Sequence, residues 1–130
     1  MLPDSAKPHL LGAVYSWCVE QGLTPHIVVL VDYPGVEVPA GYARDGKIVL
    51  NISPSATHGL VFEDPWIYFQ ARFGGVGRKI NIPMAAVVAI YAAETQEGMG
   101  FAEPVIPRED IVQADAPSSV DKKPGLRVIK

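Results

Sequence analysis

A single cysteine, Cys18, in 130 residues excludes an internal disulfide and fits a reducing compartment. Charge is sparse, at 19% of residues, and leans acidic to a formal net charge of -3. No global basic field therefore recruits nucleic acid or anionic lipid, although a local basic patch is compatible with that total. Long apolar runs are missing as well. The longest, 84–93, falls far short of the roughly 20 residues that a membrane span requires. The opening stretch MLPDSAKPHLL carries an acid and lacks the basic region and apolar run of a signal peptide. A soluble, cytoplasmic protein is expected.

Catalytic signatures are equally scarce. His9, His26 and His58 are scattered, and none has metal-ligand spacing with Cys18 or an acid. Gly74-Gly75-Val76-Gly77 lacks the Lys-Ser/Thr of a phosphate loop and reads as a hairpin turn. Ser53 and Ser55 stand outside any G-x-S-x-G frame, and Glu63-Asp64 before Pro65 reads as a solvated turn. Neither an enzyme nor a bound cofactor is expected.

What is present is a globular composition, 48% hydrophobic, in a chain long enough to bury one core without metal or disulfide. A helix is predicted over 8–21. Pro8 suits a first turn, and Gly22 followed by Thr24-Pro25 stops the helix. Leu10, Val14, Trp17 and Cys18 form an apolar stripe, which Leu11 and Tyr15 widen beyond a single face. Such a helix either sinks deep into its own core or packs on a partner as well.

From His26 the period changes. The run 26–31, HIVVLV, predicts a strand buried on both faces. Asp45-Gly46 before 47–52 is a hairpin signal. In 66–73 the pattern alternates: Trp66, Tyr68, Gln70 and Arg72 on one side, Ile67, Phe69, Ala71 and Phe73 on the other. Residues 78–82 return as its partner. The stretch 84–94 reads equally as a helix begun by Pro83 or as a closing strand. Short strands with frequent Gly and Pro punctuation predict a small β-sandwich or partly closed barrel behind an N-terminal helix.

After Phe101 the periodicity stops. Residues 103–123 hold three prolines, Ser118-Ser119 and scattered acids, a composition that cannot offset its ordering entropy. The chain then closes on PGLRVIK, which has the look of a short docking peptide or of a returning strand. The organisation expected is a body over 1–101, a flexible linker over 102–123 and an end peptide over 124–130.

Several stretches in order, LTPHIVV, PGVEVP, YARDGKIVLNIS, FQARFGG, IPMAAVVAIYA and the terminal LRVIK, resemble the bacterial stringent starvation protein B (SspB) family over nearly the whole chain. The resemblance implies a dimeric adaptor with an Sm-like body that binds ssrA degradation tags and delivers tagged proteins to the ClpXP protease. It implies that the helix mediates dimerisation, with Leu10, Leu11, Val14, Trp17 and Cys18 as candidates. It also implies that Leu126, Arg127, Val128, Ile129 and Lys130 dock on the ClpX unfoldase. Other members often have a longer, more acidic tail than this one. Ala71 and its neighbours match the tag-binding strand. An extended peptide needs backbone partners and side-chain pockets. On that ground Phe69 and Phe73 are expected as apolar walls, Ala71 as the floor of a hollow, Asn51 and Ser53 as polar contacts, and Arg72 as the partner of an acidic tag residue. Read from alternation alone, Phe69, Ala71 and Phe73 would simply line the core. The competing reading of function is an Sm-like RNA-binding protein, with Arg72, Arg78 and Lys79 interleaved among Tyr68, Phe69 and Phe73.

Overall fold

The computed structural model of the protein describes residues 3–104. Of the linker expected over 102–123 only residues 102–104 are described; the rest of it and the end peptide over 124–130 lie outside the described residues. A 3-10 turn at Asp4–Ala6 leads into helix α1, Lys7–Glu20. Seven strands follow: β1 Pro25–Leu30, β2 Lys47–Asn51, β3 Thr57–Glu63, β4 Trp66–Phe73, β5 Val76–Pro83, β6 Val87–Ala92 and β7 Gly98–Gly100. They form two antiparallel sheets, one ordered β2-β1-β6-β7 and the other β3-β4-β5. The fold is thus mainly β with one N-terminal helix, an open two-sheet sandwich and not a closed barrel.

The core lies between the sheets. Ile27, Val29, Ile48, Leu50 and Ile90 from the first sheet meet Ile67, Phe69, Ile80 and Ile82 from the second, all nearly inaccessible to water. β-branched residues favour this pleated, close-packed setting. Helix α1 joins the same core through Leu11, and Tyr15 meets Phe62 of β3 edge to face at 5.3 Å.

Two local signals act as the sequence predicts. Asp45 and Gly46 adopt φ of 55° and 77°, the left-handed pair that a two-residue hairpin turn needs. The β4–β5 hairpin keeps full register from Trp66↔Pro83 to Phe73↔Val76. The 84–94 ambiguity resolves into both readings: Pro83 precedes a 3-10 turn at Met84–Ala86, and β6 follows directly. Two strands were not anticipated. β3 contains Gly59 and β7 is Gly-Met-Gly, compositions that strand propensity disfavours. One expectation is corrected in part. β1 is buried along the Ile27–Val29 face, while on the other Leu30 is buried but His26 and Val28 are only half-buried.

Between β2 and β3 the chain crosses from one sheet to the other through a hydrogen-bonded corner. Asn51 Oδ1 accepts the Ser53 N–H at 2.9 Å, and the Ser53 carbonyl accepts Ala56 N–H and Thr57 Oγ1–H, each at 3.0 Å. Ser53 and Thr57 are the polar residues buried in the described fold, and both have partners here.

Candidate functional site

The corner sets the start of β3 against the end of β4, where Thr57 pairs with Ala71 and His58 with Gln70. The next pair is Val61↔Tyr68, so Gly59 and Leu60 together face Phe69 alone. This is a β-bulge, and Gly59 at φ 64° supplies the left-handed residue that such a bulge uses. Extra twist at a bulge bends the strand and re-aims its neighbours. A groove lies beside the bulge on the β3-β4-β5 sheet.

Two adjoining hollows make up that groove. One, of about 520 Å³, is lined by Ser55, Ala56, His58, Gln70, Ala71, Arg72 and Gly77. The other, of about 270 Å³, includes His58, Gly59, Tyr68, Gln70, Lys79 and Asn81, with Glu37 on its far wall. Glu37 is placed there by a reciprocal backbone bridge to Asn81, with N···O distances of 2.8 and 3.1 Å. Asn81 Oδ1 is buried with no hydrogen-bond partner among the described residues.

The residues singled out from sequence divide sharply. Ala71 and Arg72 line the larger hollow; Ala71 does so from the inner face, half-buried and packed against the core, while Arg72 is exposed and, among the described residues, makes a long 3.4 Å contact to the Gly75 carbonyl. Phe69 is 3% exposed and belongs to the core cluster, so it underlies the smaller hollow instead of standing as an open wall. Phe73 is half-buried and meets Tyr42 edge to face at 5.0 Å. Asn51 and Ser53 hold the corner described above, so their contribution is architectural. Sequence reasoning does not single out His58, Gln70 or Asn81, and offers Tyr68 only to nucleic acid. The alternation in 66–73 already put Tyr68 and Gln70 on the outer side; the signal for His58 was the adjacent Gly59, which marks a bulge.

The helix candidates separate in the same way. Leu11 and Cys18 are buried within their own fold, at 1% and 0% exposure, and cannot meet a partner. Burial, reinforced by the Glu94 charge, also raises the Cys18 thiol above its ordinary range, so it is an inert structural residue. Leu10 is half-buried and Trp17 is 37% exposed, leaving an apolar strip on the outer side of α1, with the half-buried Val14 at its edge also packing against the core. Where the helix exits, Glu94 clamps Thr24: Oε2 accepts the hydroxyl at 2.6 Å and Oε1 the backbone N–H at 2.8 Å. Those hydrogen bonds, the hydroxyl's first, hold the Glu94 carboxyl below its ordinary range.

Among the described residues no three His, Cys, Asp or Glu side chains gather as a metal ion would require, and no helix is long and apolar enough to cross a membrane. Fold and site together define a helix-bearing β-sandwich with an open groove on its smaller sheet. The family model for stringent starvation protein B matches residues 5–130, and the chain belongs to that family. A stringent starvation protein B homolog from Haemophilus influenzae is 50% identical over 95 residues, 73% of this chain. The match takes in 63% of that relative's length, so the chain spans less than two thirds of it.

Proposed function

We propose that this chain is a non-enzymatic, cytoplasmic adaptor that holds ssrA-type degradation tags in the β4 groove and delivers their bearers to ClpXP. The observation that carries the reading is an open groove at Ala71, on the strand that the family resemblance marks for tag binding. A tag lies extended there, its side chains alternating between hollow and solvent. Ala71 is small enough to leave room for one of them, and Arg72 pairs with an acid. Phe69 and Phe73 support β4 from behind.

In this reading residues 1–101 are the binding and dimerisation body, 102–123 the tether and 124–130 the ClpX-docking peptide, with Leu126 to Lys130 as the contact. Leu10, Val14 and Trp17 form the surface that a second copy covers. A tether of about twenty residues has an r.m.s. span near 25 Å, which holds docked tail and bound cargo at effective concentrations of order millimolar. Two weak contacts then reinforce each other.

The test is titration of a labelled ssrA-type peptide into the full chain and a form lacking 126–130, followed by degradation assays with ClpXP. Equal peptide affinity with lost delivery is expected; undiminished delivery by the shortened form would refute the tail's role. Nucleic-acid binding loses support because Phe69 and Phe73, two of the three aromatics it needs, face inward. Salt separates the two readings, since RNA affinity falls steeply with salt by counterion release and a largely apolar peptide contact does not.

A further inference from the structure

We propose that the groove has a second, charge-reading subsite at the Gly59 bulge, centred on Lys79, which takes an acidic side chain two residues along the peptide from the one at Arg72. The inference rests on the peptide-binding reading and specifies the class of peptide the groove prefers.

The argument begins with register. His58, Gln70 and Lys79 are cross-strand neighbours in one row over β3, β4 and β5, and all three are exposed. Side chains directly opposite in such rows sit roughly 5 Å apart at Cβ. One step along β4 on the same face, Arg72 stands opposite Gly77, which has no side chain to cover it. The two hollows share His58 and Gln70 and so adjoin at that row. Arg72 lines the first and Lys79 the second.

Alternate residues of a strand are about 6.6–6.8 Å apart, and an extended peptide has the same repeat. A peptide running along β4 therefore brings its own alternate side chains past Arg72 and past the Lys79 row. Lys79 forms no salt bridge among the described residues, where the ion pair is Lys47–Glu103. Asn81 lines the same hollow with an amide oxygen left without a partner among the described residues, an acceptor that a backbone N–H of a bound peptide would satisfy. Among the described residues Glu37, on the far wall, is the only acid lining either hollow. Two cations at a two-residue spacing, in a chain whose net charge is -3, fit an acidic peptide and disfavour a basic one.

The experiment uses three fluorescein-labelled tag peptides carrying two acids placed one, two or three residues apart. Their affinities are measured by anisotropy for the full-length protein and for Lys79→Gln, Arg72→Gln and Ala71→Gln. The wild-type protein should bind the two-apart peptide best. Lys79→Gln should weaken that peptide roughly fivefold, as expected for about 1 kcal/mol, and abolish the preference for its spacing. Thermal melts of Lys79→Gln should match wild type, since the side chain is exposed. If Lys79→Gln leaves all three affinities unchanged while Ala71→Gln weakens them, the subsite is refuted and tag binding stands. If none of the peptides binds the wild-type protein, the peptide-binding reading fails, and the subsite with it.

Discussion

Glycine contributes to this molecule in two physically different ways, and substitution separates them. At Gly59 nothing lies within 4 Å of the place an alanine methyl would take, yet φ is 64°, so alanine meets only backbone strain. Gly59→Ala should cost about 1–2 kcal/mol, lowering the melting temperature by several degrees while the protein stays folded. At Gly98 a Cβ would collide with the Ile90 carbonyl oxygen and stand 2.5 Å from Tyr91 Cα. Both are backbone atoms that cannot swing aside. Gly98→Ala should therefore separate β7 from β6, seen as rapid amide exchange at Ile90 and Met99 that Gly59→Ala does not produce.

The Thr24–Glu94 clamp gives a prediction in pH. Its carboxyl titrates below the ordinary unfolded value of about 4.3, so the charged form favours the fold. That contribution is present above the unfolded value and disappears as pH falls through the lower folded one. Thr24→Val should melt below wild type at pH 7, and the gap should close toward pH 3. A gap that persists unchanged at pH 3 would mean the carboxylate is not its source.

At the scale of the element, helix α1 has two faces with different obligations. Leu11, Tyr15 and Cys18 recur at one helical side and are engaged with the fold, while Leu10 and Trp17 lie on another, with Val14 packing against the core between the two. Leu11→Ala should destabilise the protein by about 2–5 kcal/mol through transfer and cavity terms. Trp17→Glu should leave the melting temperature within a few degrees of wild type and shift the species in sedimentation from dimer to monomer. A monomeric wild type, or a Trp17→Glu dimer, would remove this strip as the contact between copies.

For the whole molecule, the groove and the point where the described chain ends lie at opposite ends of β4. Pro104 and Glu103 line a hollow with Asp64 and Pro65, just before β4 starts, whereas Ala71 and Arg72 are near its finish. Glu103 also pairs with Lys47 at 2.9 Å, holding the departing chain against the body. The strand rise of about 3.3 Å per residue makes that separation comparable with the span of the proposed tether. On the proposed reading of 102–123 as a tether, removing ten residues from it shortens the r.m.s. reach to about 17 Å. Delivery to ClpXP should then slow several-fold at unchanged tag affinity, which paired binding and degradation assays would check.

The alternation of β4, the left-handed turn at Asp45-Gly46 and the helix with its stops are legible from the residues alone, because each is a local preference carried by neighbours in the chain. The sequence could not separate Leu10 from Leu11, or Phe69 as wall from Phe69 as core, since both members of each pair are apolar and the period alone does not name the inner face. β3 and β7 escaped notice because their glycines weaken the strand signal, and long-range pairing with β4 and β6 makes them strands regardless. The groove belongs wholly to tertiary structure. His58, Gln70 and Lys79 are separated along the chain and meet only because a bulge and two strand registers set them side by side.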